Sequence, residues 1–303
     1  MMEKKVMENR ITNAMTVDVE DYFQVSAFEK YIKRDSWDKL PHRVESNIDL
    51  ILSMFNDRNI RATFFTLGWV AERHPQMMRR IADAGHEIAS HGYEHVRVTN
   101  QDRDSFRKDI VDTRRLLEDI SGKLVTGYRA ASFSINAENH WAHEELELAG
   151  YKYSSSIYPI HHDLYGIPGA GRFPYKPGAG NLLEIPISTL EWRGTRFPCG
   201  GGGYFRLFPY AVSRYMIRQL NQDEQQPSIF YFHPWELDPA QPRIGGLDIK
   251  TRFRHYNNLG RMQAKFSRLL EEFSWGCMQD IFLDSKYISR PLENSNPLIT
   301  PAI

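Results

Sequence analysis

Between residues 11 and 157, short runs rich in β-branched and aromatic residues alternate with longer stretches that carry apolar residues at helical spacing. The runs are 11–19, 62–67, 86–90, 124–129 and 151–157, and the helical stretches are 44–56, 75–84, 102–120 and 139–149. In 44–56, Val44, Ile48, Ile51, Leu52 and Phe55 share one face; in 102–120, Phe106, Ile110, Thr113 and Leu117 do. Pro75 opens one helix and Gly85 closes it, while Gly122 and Gly150 lie just past the ends of two others. Nearly apolar strands alternating with helices imply an α/β fold, with parallel strands covered by helices. Asp18, His91 and Arg129 fall at strand carboxyl ends, the face where barrels of this kind carry their sites.

Residues 158–209 change character: they are dense in Gly and Pro and contain the run Gly200-Gly-Gly-Gly203. Long loops and short strands covering the mouth of a barrel are expected there. Beyond them the pattern predicts a helix over 210–219, a buried strand over 228–233, a loop after Asp238, a helix over 259–273 and a short strand near 280–283. Residues 1–10 and 291–303 read as flexible tails.

Composition narrows the function classes. The chain is 41% hydrophobic and 13% aromatic, enough to bury a sizeable core over 303 residues. Lys plus Arg equals Asp plus Glu at 38 each, so the basic surplus of a nucleic-acid binder is missing. No long block of like charge marks a membrane-surface patch. Cys199 and Cys277 are too few and too far apart for a disulfide framework or a zinc-thiolate site, and read as reduced thiols. The amino terminus has early charge without an apolar run, and no stretch approaches the roughly 18–20 apolar residues that span a bilayer. The expectation is no transmembrane segment and a cytoplasmic location, with peripheral association with the inner membrane through a partner left open.

Four short segments carry chemistry. In Ser90-His91-Gly92-Tyr93-Glu94-His95, two imidazoles four residues apart share one face of a helical turn and can ligate one ion, or are two surface histidines. In Thr16-Val-Asp-Val-Glu-Asp21, three carboxylates crowd a strand end. They read either as a solvated cap for the next element or as a metal ligand beside a general base. Asp18 and Glu20 point the same way if the strand continues, and Asp21 the other. Two His and one carboxylate leave room for water, the layout of a hydrolytic zinc site. Arg129 can hold a carboxylate bidentately, or forms a structural salt bridge. His233 closes the apolar run Ser228-Ile-Phe-Tyr-Phe before Pro234, a position that favours function over a satisfied core histidine.

In this combination and order, the segments from residue 11 to His233 resemble the polysaccharide deacetylase superfamily, also called the NodB homology domain or carbohydrate esterase family four. The resemblance implies a distorted (β/α) barrel of about seven parallel strands. It also implies loop-rich insertions and a carboxyl-terminal extension over about 200–290, all in one domain spanning 11–290. It implies Zn²⁺ or another divalent metal on His91 and His95. The third ligand is Glu20 in one register and Asp21 in the other. Asp18 is implied as the catalytic base, Arg129 as the residue that orients it, and His233 as the general acid. The acidic motif is similar to the branch that holds bacterial peptidoglycan deacetylases and allantoinase-like proteins. The segments 17–23, 200–206, 232–236 and His255-Tyr256 look like a narrower group, encoded in exopolysaccharide loci associated with exosortase and PEP-CTERM sorting.

The activity implied by the resemblance is hydrolysis of N-acetyl groups on an amino-sugar polysaccharide or oligosaccharide in exopolysaccharide biosynthesis. The partners are then the N-acetylated glycan and that biosynthetic machinery. A backbone N–H near Ser132 or Phe133 would hold the oxyanion, and Tyr204, Phe205 and Trp235 either stack on sugars or pack in the core. Two departures stand out: Ala131 replaces the usual Pro, and Ser154 replaces the Asp of a Tyr-Asp-Ser-Ser motif, which leaves the partner of His233 open. Hydrolysis of a small cyclic amide or ureide, and a non-catalytic sugar-binding relative, are the alternatives.

Overall fold

The computed structural model describes residues 11–162 and 166–284; the expected tails at 1–10 and 291–303 lie outside them. In chain order the elements are β1 (Thr12–Val19), α1 (Val44–Asn56), β2 (Thr63–Thr66), α2 (Gly68–Arg73), α3 (Pro75–Asp83), β3 (Glu87–Ser90), α4 (Arg103–Ser121), β4 (Gly127–Tyr128), α5 (Trp141–Leu148) and β5 (Tyr153–Ser154). After these come β6 (Leu183–Glu184), the hairpin β7 (Thr189–Trp192) and β8 (Thr195–Pro198), α6 (Gly202–Leu207), α7 (Tyr210–Gln222), β9 (Ile229–Phe232), α8 (Ile249–Tyr256), α9 (Leu259–Glu272), β10 (Ser274–Gly276) and α10 (Met278–Phe282).

Eight of these strands form one parallel sheet with β1 at its centre. β1 pairs with β10 over Thr12–Ala14, with β9 over Ala14–Val17 and with β2 over Thr16–Val19. A strand has two edges, so two partners must share one. The Met278 N–H, just after β10, donates to Thr63 Oγ1 at the start of β2, so these two succeed each other along one edge. The order then runs β2, β3, β4, β5, β6. The gap between β6 and β9 is bridged irregularly: the Ile229 N–H donates to Ser188 Oγ and the Tyr231 N–H to the Gly200 carbonyl, both at 2.7 Å. The expected distorted barrel is thus what the chain forms, and β9 and β10 build the last third of the sequence into the same sheet.

Side-chain parity separates the inside of the barrel from its outside. Ala14, Phe65, Ala89, Ile229 and Tyr231 meet in the interior cluster, while their neighbours Met15, Phe64, Ile88 and Phe230 pack outward under the helices. On β1 the inward column is Ala14, Thr16 and Asp18, so an apolar strand delivers a carboxylate to the carboxyl end of the barrel. The helices obey their sequence signals. In α4 the Asp102 carboxylate caps the Ser105 N–H at 2.8 Å, Gly122 ends it at φ +65°, and Phe106, Ile110 and Leu117 are buried. Burying each such side chain contributes about 1.5–3 kcal/mol.

Three expectations need correction. The strand near 280–283 is instead α10, preceded by β10; Met278 and Phe282, one helical turn apart, both bury in the interior cluster. The Gly200–Gly203 run does not stay a loop but opens α6. The stretch after Asp238 contains α8. Cys199 and Cys277 are buried and unpaired. Among the described residues, no helix is long and apolar enough to cross a membrane.

Candidate active site and metal centre

Glu20, His91 and His95 converge at the carboxyl end of the barrel. Glu20 Oε1 lies 3.2 Å from Nε2 of both histidines, and all three residues are buried. His91 leaves the end of β3 and its Nδ1–H donates to the Arg129 carbonyl at 2.8 Å, so Nε2 faces the carboxylate. His95 does not sit one helical turn on, as the spacing suggested. Residues 91–97 are irregular, and the rings are brought together by Gly92 at φ +75° and His95 itself at φ +54°. Asp109 on α4 holds this loop by accepting the Tyr93 N–H at 2.9 Å. A Cβ on Gly92 would also crowd Asp109, 3.0 Å from Oδ2.

Burial works to raise the Glu20 pKa, but the charges of His95 and His233 and hydrogen bonds from both ligand imidazoles outweigh it and hold it well below the usual carboxylate range. Glu20 Oε2 and His95 Nδ1 are buried without a partner among the described residues. Without an ion, two imidazole nitrogens can face one carboxylate oxygen only if both carry protons. A carboxylate with two imidazoles fits a divalent cation of the zinc type without that requirement.

Asp21 does not join them. Its parity carries it outward, where Oδ2 accepts the N–H groups of Arg43 at 2.6 Å and Val44 at 3.0 Å, and Oδ1 accepts that of Tyr22. It caps α1, whose own N-cap residue Arg43 offers no side-chain oxygen. The acidic segment therefore divides: Asp18 and Glu20 turn into the site, and Asp21 satisfies a helix end.

Asp18 is held by the fully buried Arg129. Nη1 of Arg129 donates to Asp18 Oδ1 at 2.5 Å and to Thr16 Oγ1 at 2.9 Å, so the contact is single rather than bidentate. Its Nε and Nη2 donate to the carbonyl and hydroxyl of Ser155, and Phe65 lies 4.0 Å beneath the guanidinium. Ser156 Oγ accepts the Ala130 N–H. The Tyr153-Ser-Ser-Ser156 segment thus supports Arg129 and the strand end beside it.

His233 closes β9. Its Nε2 lies 3.7 Å from Glu20 Oε1, and its Nδ1–H donates to Glu236 Oε1 at 3.0 Å. Glu236 Oε2 accepts from Arg206 Nε at 2.7 Å. Arg206 spends its other donors on the carbonyls of Arg254, His255 and Asn257. Burial alone would lower the His233 pKa, but Glu20 and Glu236 prevail and bring it up to about 9. Burial likewise opposes the charge on Glu236, yet Arg206 and His233 bring that pKa down to about 2. The partner that Ser154 could not supply is therefore Glu236.

Residues 36–153 match the family described as polysaccharide deacetylase, and residues 155–283 match a domain of unknown function (DUF3473). The first match makes residues 36–153, less than half of the chain, similar to polysaccharide deacetylases. A peptidoglycan-N-acetylglucosamine deacetylase of Bacillus cereus is 38% identical over 72 residues, 24% of this chain and 26% of the relative. A peptidoglycan deacetylase of Helicobacter pylori is 32% identical over 155 residues, 49% of this chain and 47% of the relative. The matched stretches therefore span a quarter to a half of those relatives. A crystal structure from Mycobacterium smegmatis, classed as a polysaccharide deacetylase, superposes with a TM-score of 0.56 at 20% identity, covering 91% of both chains, a likeness of fold.

Within this fold, the carboxylates and histidines open onto a cavity of about 180 Å³. Its walls come from the loop after β1, the turn at 130–133, the segment 231–235 and α8. None of the described residues of 158–209 lines it, unlike the expected cover over the mouth. Trp235 lines the cavity, stacked on His233 and on His255. Phe205 instead packs against Phe230 in the core, and Tyr204 stacks on Phe208 away from the cavity. The Phe133 N–H is taken by the Ala130 carbonyl, and Ser132 beside it lines the cavity. Ser132 and Phe133 both sit at positive φ, 53° and 51°, strain placed in the cavity wall. Sequence reasoning missed Arg206 and Glu236. The signals were present: Glu236 lies three residues after His233, the spacing of a capping box, and Arg206 ends the Gly-rich motif.

Proposed function

We propose that the chain is a divalent-metal-dependent, zinc-type hydrolase that removes N-acetyl groups from an amino-sugar polysaccharide or oligosaccharide. The observation that carries this is one cavity holding a His-His-carboxylate cluster between an arginine-held Asp18 and a carboxylate-held His233. Glu20, His91 and His95 would hold the ion. A bound divalent ion supplies Lewis acidity to a water and to the acetyl carbonyl.

The protein's own groups do the rest. Asp18, held at the cavity by Arg129, takes a proton as water adds to the acetyl carbon. The Ser132 N–H stabilises the oxyanion that develops. His233, fixed through Nδ1 by Glu236, passes the Nε2 proton to the amide nitrogen as the C–N bond breaks. The products are acetate and a free amino sugar. A role in exopolysaccharide biosynthesis, with that machinery as partner, is part of the proposal and is supported by the motif resemblance of 200–206 and 232–236. We read residues 11–290 as one domain, supported by the pairing of β9 and β10 with β1.

Metal analysis of the purified chain, with acetate release from a panel of N-acetylated oligosaccharides, tests the reading. The expected result is one divalent ion per chain and acetate release that chelator abolishes and metal restores. Tight sugar binding without acetate release would mark a binding module, and release of product from a cyclic ureide alone would mark the wrong substrate class.

A further inference from the structure

The stretch after Asp238 brings two buried polar residues to the active site that the proposed chemistry does not use. His255, on the last turn of α8, lines the catalytic cavity and is buried, and Gln241 is buried beside it. The side-chain amide of Gln241 has one orientation open to it. Its Nε2 donates to the Trp235 carbonyl at 2.7 Å and to the Asp238 carbonyl at 3.0 Å, so Oε1 is the atom 2.6 Å from His255 Nε2. An amide oxygen only accepts, so Nε2 of His255 carries the proton. Burial, with Arg206 close by, holds the His255 pKa well below the usual histidine range, and the ring is neutral.

That ring belongs to a row of packed rings. Phe28 lies 4.4 Å from His255, His255 lies 4.1 Å from Trp235 at 15° to it, and Trp235 lies 5.1 Å from His233 at 20°. The row ends on the imidazole assigned to deliver the proton. Glu236 holds that imidazole at Nδ1, but a single hydrogen bond fixes a ring plane poorly. The outer torsion of histidine is broad, and a hydrogen bond weakens steeply only below about 120°. A flat neighbour in contact does fix the plane, because tilting the ring forfeits packing on one side and forces overlap on the other.

Trp235 is that neighbour, and it sits on a four-residue turn, Pro234–Leu237, that needs backing. His255 supplies the backing and is itself tied down by three groups: Gln241 at Nε2, Phe28 against the ring, and Arg206 Nη1 on its carbonyl at 2.9 Å. Arg206 also anchors Glu236, so the hydrogen bond at the ring edge and the packing on the ring face share one guanidinium.

We propose that His255 is a positioning residue for the general acid: through Trp235 it holds the plane of the His233 imidazole so that Nε2 faces the departing nitrogen. His255 transfers no proton itself. The inference rests on the reading of His233 as the acid, and it gives the segment after Asp238 a task in the reaction.

The test compares His255→Phe, which keeps a flat ring against Trp235, with His255→Leu, which fills the space without one. Both lose the bond to Gln241, so their difference isolates the stack. His255→Leu should lower kcat for an N-acetylated sugar about tenfold or more, with bound metal retained and with KM and the kcat for an aryl acetate changed by less than about twofold. His255→Phe should recover most of the loss. Should His255→Leu disturb the fold, His255→Met, unbranched and adaptable, takes its place. A second readout needs no turnover: the ring C–H resonance of His233 in proton NMR, assigned by its loss in His233→Ala and displaced by the Trp235 ring. It should move in His255→Leu and return in His255→Phe. Equal losses on sugar and aryl acetate, or no recovery in His255→Phe, overturn the proposal. No acetate release by the wild type fails the functional reading, and the acid with it; a stationary His233 resonance in His255→Leu fails this proposal alone.

Discussion

Glu236 grips His233 at two points: Oε1 accepts its backbone N–H at 3.1 Å and its Nδ1–H at 3.0 Å. The first contact fixes where the residue sits and the second fixes how the ring is turned. The other oxygen is anchored by Arg206, so the ring orientation depends on a residue of α6 that lies 30 positions before Glu236. Glu236→Gln keeps an acceptor for Nδ1–H and the packing of the side chain, but removes the charge. It should lower kcat about 10–100-fold while metal stays bound. Glu236 is also one of the carboxylates, with Glu20 and Asp18, that raise the His233 pKa, so its loss lets His233 give up its proton at lower pH. The alkaline limb of the kcat–pH profile should therefore move down; an unmoved limb would mean that Glu236 only packs.

The acidic segment separates cleanly under mutation. Glu20→Ala should abolish metal binding measured by metal analysis, with the fold retained. Asp21→Ala should leave the metal in place. It strips the cap from α1 and should cost about 0.5–2 kcal/mol in thermal or denaturant unfolding. Metal loss in Asp21→Ala with retention in Glu20→Ala would reverse the assignment.

The contrast between Glu20 and Asp21 shows what a sequence can and cannot disclose. The strand-and-helix order was legible because each strand is apolar on both faces and each helix has an apolar stripe. Asp18, His91, Arg129 and His233 were legible because each ends an apolar strand. The choice between Glu20 and Asp21 was not, because β1 ends at Val19 and parity carries no guarantee past a strand end. The path of 91–97 was hidden for a related reason: His95 adopts a positive φ, which its residue type does not announce. Arg206 and Glu236 were hidden because their meeting depends on how α6 packs against the turn after β9. The Gly-rich run reads locally as a loop although it serves that packing.

Two adjacent glycines in that run should behave oppositely. A Cβ on Gly202 would lie 2.3 Å from Glu236 Oε1, whereas one on Gly203 would meet nothing within 4 Å. Gly202→Ala should displace Glu236 and lower activity as Glu236→Gln does, with some loss of stability. Gly203→Ala sits in α6 with open space around it and should be neutral or stabilise by about 0.5–1 kcal/mol. Parallel unfolding curves and acetate-release assays on the pair decide this.

Asp109 makes stability depend on pH in a chosen direction. Burial raises its pKa from 3.8 to about 6, against hydrogen bonds from the Tyr93 N–H and Thr113 that pull the other way. Between those values the folded chain binds more protons than the unfolded one, so this group makes stability fall as pH rises through the window. Asp109→Asn cannot titrate and still offers an acceptor to Tyr93. Relative to the wild type, its unfolding free energy should lose this decline, a difference on the order of 1–3 kcal/mol. Identical slopes for the two proteins between pH 3.8 and about 6 would remove Asp109 from the account.

Asp18 and His233 line one cavity and are held in opposite ways, the first by a guanidinium and the second by a carboxylate. Neither belongs to the Glu20, His91 and His95 cluster, so Asp18→Asn and His233→Ala should both retain bound metal. Each should lower kcat for an N-acetylated sugar by about 10² to 10⁴-fold, the usual worth of positioned proton transfer. Their substrate dependence should differ. Water must lose a proton whatever group departs, so Asp18→Asn should slow amides and activated esters alike. Only the amine of an amide needs a proton to leave, so His233→Ala should spare an activated acetyl ester. Comparing kcat on an N-acetyl sugar and on an aryl acetate for both variants gives four numbers. If His233→Ala lowered the two activities equally, His233 would be stabilising the oxyanion or the fold, and the proton delivered to the leaving nitrogen would have to come from elsewhere in the cavity.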